Sequence, residues 1–212
     1  MEKKDENLCN SFMNLSAKSL ANTLSNTTKI ATISEKIKNI LEKDLNLNLG
    51  DENLKGTPHR IAKMWINDFC ANVDKKFNNF KLFLNESQYD QMIISSEIPF
   101  SSVCSHHFIH FSGKAWFGYI PNKFLIGKSK ISRLIDFHCK KPQLQENLGE
   151  EIVEDFVFNV RPLGCMLIMK AVHNCEFCRG ATKYAPMVTS VIRGNFDDNK
   201  VRNEMLQLIS LK

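Results

Sequence analysis

The chain has 212 residues, enough for one well-packed domain or for one domain with a helical extension. Apolar residues make up 43% of it and charged residues 24%, proportions that are ordinary for a globular protein with a real hydrophobic core. The net charge of +5 comes without a long basic run, so a solvated surface explains it better than a phosphate-bearing ligand or a nucleic acid does.

The cysteines and the N-terminus indicate the cellular compartment. The seven cysteines are odd in number and scattered, which is not the pattern of a small secreted disulfide framework. The stretch Met1–Glu6 lacks the apolar core of a signal peptide, and no apolar run approaches the roughly 20 residues that a membrane span needs. We therefore expect a protein of the reducing cytoplasm that does not contact a membrane.

The N-terminal part of the sequence predicts a mobile arm followed by two helices. Residues 1–29 are rich in Asn, Ser, Lys and Thr and only weakly periodic, which is typical of a flexible arm. The spacing Thr32-x-x-Glu35 resembles a capping box, which predicts the start of an amphipathic helix. Thr57-Pro58 predicts the cap and first position of a second helix. Residues 30–90 are thus expected to contain a helical hairpin.

Beyond residue 90 the hydrophobic period changes from helical to alternating. Four strands are predicted, at Met92–Ile94, Gly113–Ile120, Cys165–Val172 and Met187–Phe196. Two helices are predicted between the second and third strands, one starting near Ser129 and one after Pro142, and a last helix at Arg202–Ile209. The second inner helix is expected to bury Leu144, Leu148, Ile152, Phe156 and Val160. Residues 91–212 therefore predict an α+β domain, a four-stranded antiparallel sheet packed on two helices.

Two short windows carry residue types that bind metals. The first is Cys104-Ser-His106-His107 and the second is His173-Asn-Cys175. Zinc prefers thiolate and imidazole, and a catalytic zinc keeps one position for water beside three protein ligands. Cys104 and His107 are three residues apart and need a turn, whereas His173 and Cys175 would share a face if they lie on a strand. We predict Cys104, His107 and Cys175 as the ligands, with His106 and His173 free to carry protons.

Two other interpretations of these windows stay open. A buried cysteine is often only a small apolar residue in a core, although two such windows with clustered histidines favour a site. A structural zinc would have four protein ligands, and Cys178 could supply the fourth through Cys175-x-x-Cys178.

Basic and acidic residues near the predicted helix starts are candidates for substrate binding. A helix start suits an anion, and Lys130 and Arg133 are three residues apart on one face of the first inner helix. Arg179 follows the second window and could add a bidentate contact to phosphate. A solvated basic helix start is the alternative for this group. Glu146, at the next helix start, either favours the helix dipole or binds the N1–H and amine of a guanine.

These motifs, in this order, resemble the GTP cyclohydrolase I family over about residues 55–210. The shared runs are Thr57-Pro-His-Arg60, Cys104-Ser-His106-His107, Gly113 to Asn122, Ser129-Lys130-x-x-Arg133, Gln143-Leu-Gln145-Glu146, His173-Asn-Cys175-x-x-x-Arg179-Gly180 and Val188-Thr-Ser190. The resemblance implies a tunnelling fold and a homodecamer whose active sites are shared between subunits. It also implies conversion of GTP to 7,8-dihydroneopterin triphosphate with release of formate.

The resemblance implies a role for each matched residue. Zinc would be held by Cys104, His107 and Cys175. The catalytic residues would be His106, His173 and Ser129. The substrate would be held by Glu146 at the guanine edge with the backbone of Gln145, by Lys130, Arg133 and Arg179 together with Ser129 at the ribose and triphosphate, and by Arg60 from a neighbouring subunit. Zinc would make hydroxide available near neutral pH to attack C8 of the purine while a histidine protonates N7.

The sequence also departs from the family pattern. Ser105 stands where the family usually has Glu, which removes a carboxylate beside the metal, and the chain is identified as a divergent member. The alternatives are a related tunnelling-fold enzyme of the deazapurine pathway, or a zinc-containing relative that binds a purine nucleotide without catalysis.

Overall fold

The computed structural model of the protein describes residues 25–210, which fall into two compact units. The division lies between Ala71 and Asn72. The domain boundaries predicted from the sequence remain predictions. Among the helices of the described residues, none is both long enough and apolar enough to cross a membrane.

The first unit contains two helices. Helix α1 covers residues 25–39 and continues as a π-helical turn at Ile40–Asp44. Helix α2 covers Thr57–Met64 and continues as a π-helical turn at Trp65–Phe69. Two helices were predicted here, and two are found in the described part of this unit.

The predicted starts of these helices are wrong in detail. Thr32 lies inside α1, where its hydroxyl donates to the Thr28 carbonyl over 3.0 Å, so it does not cap the helix. Residues 25–29 are helical rather than part of an arm, and the remainder of the predicted arm, residues 1–24, lies outside the described residues. Gly56 occupies the cap position of α2, which moves Thr57 and Pro58 one position into the helix.

The second unit is built on a five-stranded sheet. Its long strands are β2 (Ile93–Cys104), β3 (His110–Ile120), β6 (Gly164–His173) and β7 (Met187–Gly194), which pair antiparallel in the order β2-β3-β6-β7. The four-stranded antiparallel arrangement is as predicted, but the first strand was predicted only at Met92–Ile94, whereas β2 continues to Cys104. The sequence did not predict the fifth strand, β5, whose two residues, Pro142–Gln143, pair parallel to β2 at the sheet edge. It also missed a second, two-stranded sheet formed by β1 (Leu82–Leu84) and β4 (Phe124–Ile126).

Two helices cover one face of the large sheet and form the main core. Helix α3 covers Lys128–Cys139 and α4 covers Gln145–Val160. They correspond to the two predicted inner helices. The fully buried apolar side chains of this layer include Leu134, Ile135, Leu148, Ile152, Phe156, Phe117 and Leu167. Leu144 is the exception among the predicted core positions of α4, because it precedes the helix as its cap and is only half-buried.

The opposite face of the sheet is partly covered by the C-terminal helix. Helix α6 covers Asn199–Ser210 and starts earlier than predicted. Its Met205 is buried against a small cluster that includes Met166, Ile168 and Phe196. The remaining short helix, α5, covers Asn174–Phe177 and follows β6 directly.

Candidate metal centre and its surroundings

Three side chains from the two predicted windows meet at one point. The sulfur atoms of Cys104 and Cys175 and a ring nitrogen of His107 all lie within 4.8 Å of one another. Cys104 is buried, Cys175 is half-buried and His107 is exposed, so the cluster faces solvent on one side. Two thiols and one imidazole are ligand types that zinc prefers. The arrangement could hold one metal ion.

A tight turn brings His107 back towards Cys104. Cys104 ends β2, its amide donates to the Ile109 carbonyl over 3.0 Å, and the Phe108 amide donates to the Cys104 carbonyl over 2.9 Å. Phe108 has a φ of 54°, a left-handed conformation that is unusual for a bulky residue and marks local strain. The turn that the Cys-x-x-His spacing predicted is therefore present.

The end of β2 is held by neighbouring elements. Cys104 pairs with Gln143 of β5, and the Ser105 amide donates to the Gln143 carbonyl over 3.3 Å. The buried Ser102 hydroxyl donates to the Cys139 carbonyl at the end of α3 over 2.9 Å. These contacts fix the first ligand window to the segment that leads into α4.

The second window is the end of a strand followed by a helical turn, so the condition under which His173 and Cys175 would share a strand face is not met. Strand β6 ends at His173, and Cys175 lies in the helical turn of α5. The two side chains therefore do not share a strand face, and a change to helical backbone brings Cys175 to Cys104. Cys178 caps α5 through its amide, is exposed, and does not belong to the group of ligand atoms described above.

The two cysteines influence each other. Burial, together with the neighbouring Cys104 thiol, raises the pKa of Cys175. Two adjacent thiolates repel each other, and a divalent cation between them would remove this penalty. The donor set therefore fits a cation that takes thiolate ligands. All six cysteines of the described residues are free of disulfide bonds.

His173 is held by a hydrogen bond and by an aromatic ring. Its Nε2 lies 2.9 Å from Oε1 of Gln145, and its ring stacks on Phe111 with centroids 4.6 Å apart and an angle of 5° between the planes. Burial lowers the pKa of His173, while the carboxylates of Glu146 and Glu176 act in the opposite direction. The lowered pKa favours a neutral imidazole at neutral pH, able to accept a proton.

Gln145 lies in the interior, which the sequence analysis did not predict for its side chain. The residue is fully buried, and its amide nitrogen donates to the Met169 carbonyl over 3.1 Å and to the Thr189 hydroxyl over 3.0 Å. The side chain thus joins α4 to strands β6 and β7 and contacts His173. The surrounding sequence, Gln143-Leu-Gln145-Glu146-Asn147, is mostly polar and gives no signal that this side chain is buried.

The other predicted site residues of the second unit lie on the surface. His106 is exposed in the turn, with its ring centroid 6.1 Å from that of His107. Glu146 is exposed in the first turn of α4, near enough to His173 to affect its pKa. Arg179 is exposed after α5.

The basic residues of α3 are not joined to the metal cluster. The Lys130 ammonium donates to Asn79 Oδ1 over 2.6 Å. Ser129 and Arg133 are exposed, and within residues 25–210 no hydrogen bond or ion pair connects them to the cluster. Arg60 belongs to the first unit, where its guanidinium donates to the Asn53 carbonyl and to the Thr57 hydroxyl, each over 2.9 Å.

Comparison with known proteins identifies the family. The family model for GTP cyclohydrolase I matches residues 33–210. The chain belongs to the GTP cyclohydrolase I family. The resemblance found in the sequence is therefore confirmed, and the mixed architecture of antiparallel sheet and helices is the tunnelling fold of this family.

Several curated relatives are similar over most of their length. GTP cyclohydrolase 1 of Hydrogenobaculum sp. (strain Y04AAS1) is 41% identical over 179 residues, which are 84% of this chain and 96% of the relative. GTP cyclohydrolase 1 of Finegoldia magna is 40% identical over 76% of this chain and 88% of the relative. That of Haemophilus ducreyi is 35% identical over 84% of this chain and 83% of the relative. The level of identity agrees with a divergent member of the GTP cyclohydrolase I family.

Proposed function

We propose that the protein converts GTP to 7,8-dihydroneopterin triphosphate with release of formate, in a zinc-dependent reaction. The main support is the meeting of Cys104, His107 and Cys175 within 4.8 Å, in a chain that belongs to the GTP cyclohydrolase I family. The relatives of this family that match most of the chain carry the name of this activity.

Cys104, His107 and Cys175 would hold the zinc ion. When bound, zinc would supply an activated water near neutral pH. Cys178 is exposed and outside the cluster, so three protein ligands would hold the zinc and a fourth position would be left for water. An open position is the feature that separates a catalytic from a structural zinc site.

His173 and His106 are the proposed proton carriers. Formate release requires two waters and the cleavage of both ring bonds of C8. Protonation of N7 and attack of water on C8 open the ring at the C8–N9 bond, and hydrolysis of the resulting formamide then breaks the C8–N7 bond. Histidine suits these proton transfers because its ordinary pKa is about 6.5. His173 is fixed in position by Gln145 and Phe111, whereas His106 lies in an exposed turn. A positioned acid or base of this kind contributes a factor of about 10²–10⁴ in rate.

The substrate would be held by residues on both sides of this centre. The Glu146 carboxylate can accept hydrogen bonds from N1–H and the exocyclic amine of guanine, with the backbone of Gln145 beside it. The triphosphate and ribose would be bound by the exposed residues Ser129, Arg133 and Arg179, by the half-buried Lys130, and by Arg60 from a neighbouring subunit. Family membership supports assembly into a homodecamer with shared active sites. The cytoplasmic location and the lack of a nucleic-acid partner stay predictions.

Incubation of the purified, zinc-loaded protein with GTP tests the proposal. We expect formate to appear together with a product that becomes fluorescent when its pterin ring is oxidised. ATP is the matched control and should give neither signal. Adenine has no hydrogen on N1 and no amino group at C2, which are the two donors of guanine that Glu146 would recognise. A zinc-replete protein that binds GTP but releases no formate would contradict the proposal and favour a non-catalytic nucleotide-binding role.

A further inference from the structure

We propose that Gln145 and Thr189 are positioning residues that hold His173 in a single tautomer, with its Nδ1 as the atom that exchanges protons with the substrate. The inference rests on the proposed function and assigns the Gln145 side chain a role in it. It follows from a chain of hydrogen bonds that begins at a backbone carbonyl of β6 and ends at the imidazole.

The orientation of the Gln145 amide is fixed by the Met169 carbonyl. A backbone carbonyl can only accept a hydrogen bond, so the amide nitrogen of Gln145 must face it, and their separation is 3.1 Å. The second amide hydrogen is directed to the Thr189 hydroxyl at 3.0 Å. Reversing the amide would bring two acceptor oxygens together in a fully buried position, where an unmade hydrogen bond costs about 1–3 kcal/mol.

The fixed amide in turn determines the tautomer of His173. The remaining Gln145 atom, Oε1, can only accept, and it lies 2.9 Å from Nε2 of His173. Nε2 must therefore carry the hydrogen, and in the neutral ring Nδ1 carries the lone pair. Within residues 25–210, Nδ1 has no hydrogen-bond partner of its own and is left for the substrate.

The stacked ring of Phe111 removes the remaining freedom of the imidazole. Phe111 and His173 are direct partners in the pairing of β3 with β6, and their rings are parallel within 5°. The hydrogen bond to Gln145 sets the rotation of the imidazole in its plane, and the stacking sets the plane. The direction of the Nδ1 lone pair is thus determined by residues of β3, β6, β7 and α4 together.

The Gln145 side chain can be tested separately from its backbone. The role that family membership suggests for Gln145 uses its backbone, which a substitution of the side chain leaves in place. Gln145→Met keeps the length of the side chain but removes both the acceptor for His173 and the donors to Met169 and Thr189. We expect kcat to fall about 10–100-fold, the usual effect of removing a hydrogen-bonding partner of an active-site group, with KM and bound zinc close to wild type.

Thr189 provides a second test that does not touch the imidazole. Thr189→Val keeps the shape of the side chain and removes the hydroxyl that accepts from Gln145, so kcat should fall by about 10-fold, the lower end of that range. Thr189→Ser restores an acceptor and should restore kcat. Ser190→Ala is the matched control, because Ser190 is the next residue of β7, points to the opposite face and is exposed.

Steady-state kinetics, zinc analysis and thermal unfolding on the same preparations distinguish the outcomes. Loss of kcat in Gln145→Met and Thr189→Val, with zinc retained and with recovery in Thr189→Ser, supports the proposal. Unchanged kcat in both variants, or a loss that follows the zinc content or the KM instead, overturns it. An inactive wild type with bound zinc would refute the proposed function itself, which is a different result.

Discussion

Cys175 and His173 are two residues apart, yet their removal should have different consequences. Cys175 belongs to the ligand cluster, while His173 contacts Gln145 and Phe111 beside it. The two positions therefore separate metal binding from proton transfer.

Cys175→Ser should release the metal. A serine hydroxyl is a much poorer zinc ligand than a thiolate, and two protein ligands would remain. Metal analysis after gel filtration should find less than about a tenth of the wild-type zinc, in line with the strong loss expected when a ligand is removed. Cys178→Ser is the control, because Cys178 is an exposed thiol outside the cluster and its replacement should leave zinc bound. Retention of zinc by Cys175→Ser would exclude the proposed ligand set.

His173→Ala should keep zinc and lose turnover. The imidazole is not one of the clustered ligands, but loss of a positioned acid or base reduces kcat by about 10²–10⁴. The measurement is the rate of formate release at saturating GTP, with metal content determined on the same sample. A variant with more than about a third of the wild-type kcat would show that another group moves the proton, since a true carrier contributes far more than that.

At the residue scale, spacing predicted the ligands but not their supports. Cys104, His107 and Cys175 follow from two local windows, because few residue types bind zinc. The residues that position the site come from distant parts of the sequence. Gln145 contacts Met169 and Thr189 on two different strands, and the local sequence around these residues does not predict the contacts. The spacing of His173 and Cys175 could not predict the backbone at Cys175, because β6 ends at His173 and the change to helix occurs within one residue.

At the element scale, the close approach of β3 to β6 depends on Gly113. A Cβ at this position would lie 1.8 Å from the Lys170 carbonyl oxygen, which is a backbone atom and cannot rotate away. The same strand pair carries Phe111 opposite His173. Any separation of the two strands near Gly113 therefore also displaces the imidazole from its stacking partner.

Gly113→Ala should destabilise the protein more than Gly118→Ala. At Gly118 the added Cβ would meet the sulfur of Met205 at 2.8 Å, and this flexible side chain can move. Overpacking of an interior typically lowers the free energy of unfolding by about 1–3 kcal/mol. We expect a loss at or above the upper end of this range for Gly113→Ala and a loss near the lower end for Gly118→Ala. Urea unfolding at equal protein concentration measures both. Equal free energies of unfolding for the two variants would contradict the strand geometry.

The contact between α3 and α4 includes a charged cluster around His138. The buried His138 ring lies 3.2 Å from Glu151 through Nδ1 and 3.0 Å from Asp155 through Nε2, and Lys141 also pairs with Glu151. Burial acts to raise the pKa of Glu151, but Lys141 and His138 outweigh it, so the pKa of this carboxyl is lowered from its ordinary value of 4.5. The ionised carboxylate thus stabilises the folded protein.

This cluster predicts a loss of stability in acid. Because the pKa of Glu151 is lower in the folded than in the unfolded chain, its contribution is complete above about pH 4.5 and disappears as the pH falls through the lowered value. The Glu151 side chain is 43% exposed, so solvent screening limits the contribution to about 1 kcal/mol or less. Between about pH 5 and pH 3, the free energy of unfolding should fall less steeply in Glu151→Gln than in the wild type. A steeper fall in the variant would mean that the carboxylate is not favoured by folding.

Most of the long elements could be predicted from periodicity, and the short ones could not. Strand β2 is the exception, because only Met92–Ile94 was predicted where the strand covers Ile93–Cys104. Strands β3, β6 and β7 and helices α3 and α4 each show a hydrophobic period over many residues. By contrast, β5 has two residues, and β1 and β4 have three each, which is too short for a period. Strand β5 nevertheless matters to the site, because its pairing with Cys104 fixes the first ligand window.

At the scale of the whole molecule, two distant parts of the chain complete one site. The first ligand window ends β2, and the second ends β6, two strands that are separated by β3 in the sheet. The first window supplies two of the three clustered ligands and the second supplies one, so metal affinity should depend on correct folding of the sheet. Strands β2 and β6 both pair antiparallel with β3, so they run in the same direction and their C-terminal ends lie at the same edge of the sheet. The order of strands predicted from the sequence therefore already places the two windows at one end of the sheet.

The rate of formate release from GTP, measured as a function of zinc bound per chain, tests the zinc-dependent reaction most directly. Zinc is removed with a chelator, returned in graded amounts and measured on each sample. We expect a rate that is negligible without zinc and rises in proportion to bound zinc until one ion per chain is present. Full activity in the zinc-free protein, or no activity at one zinc per chain, would contradict it.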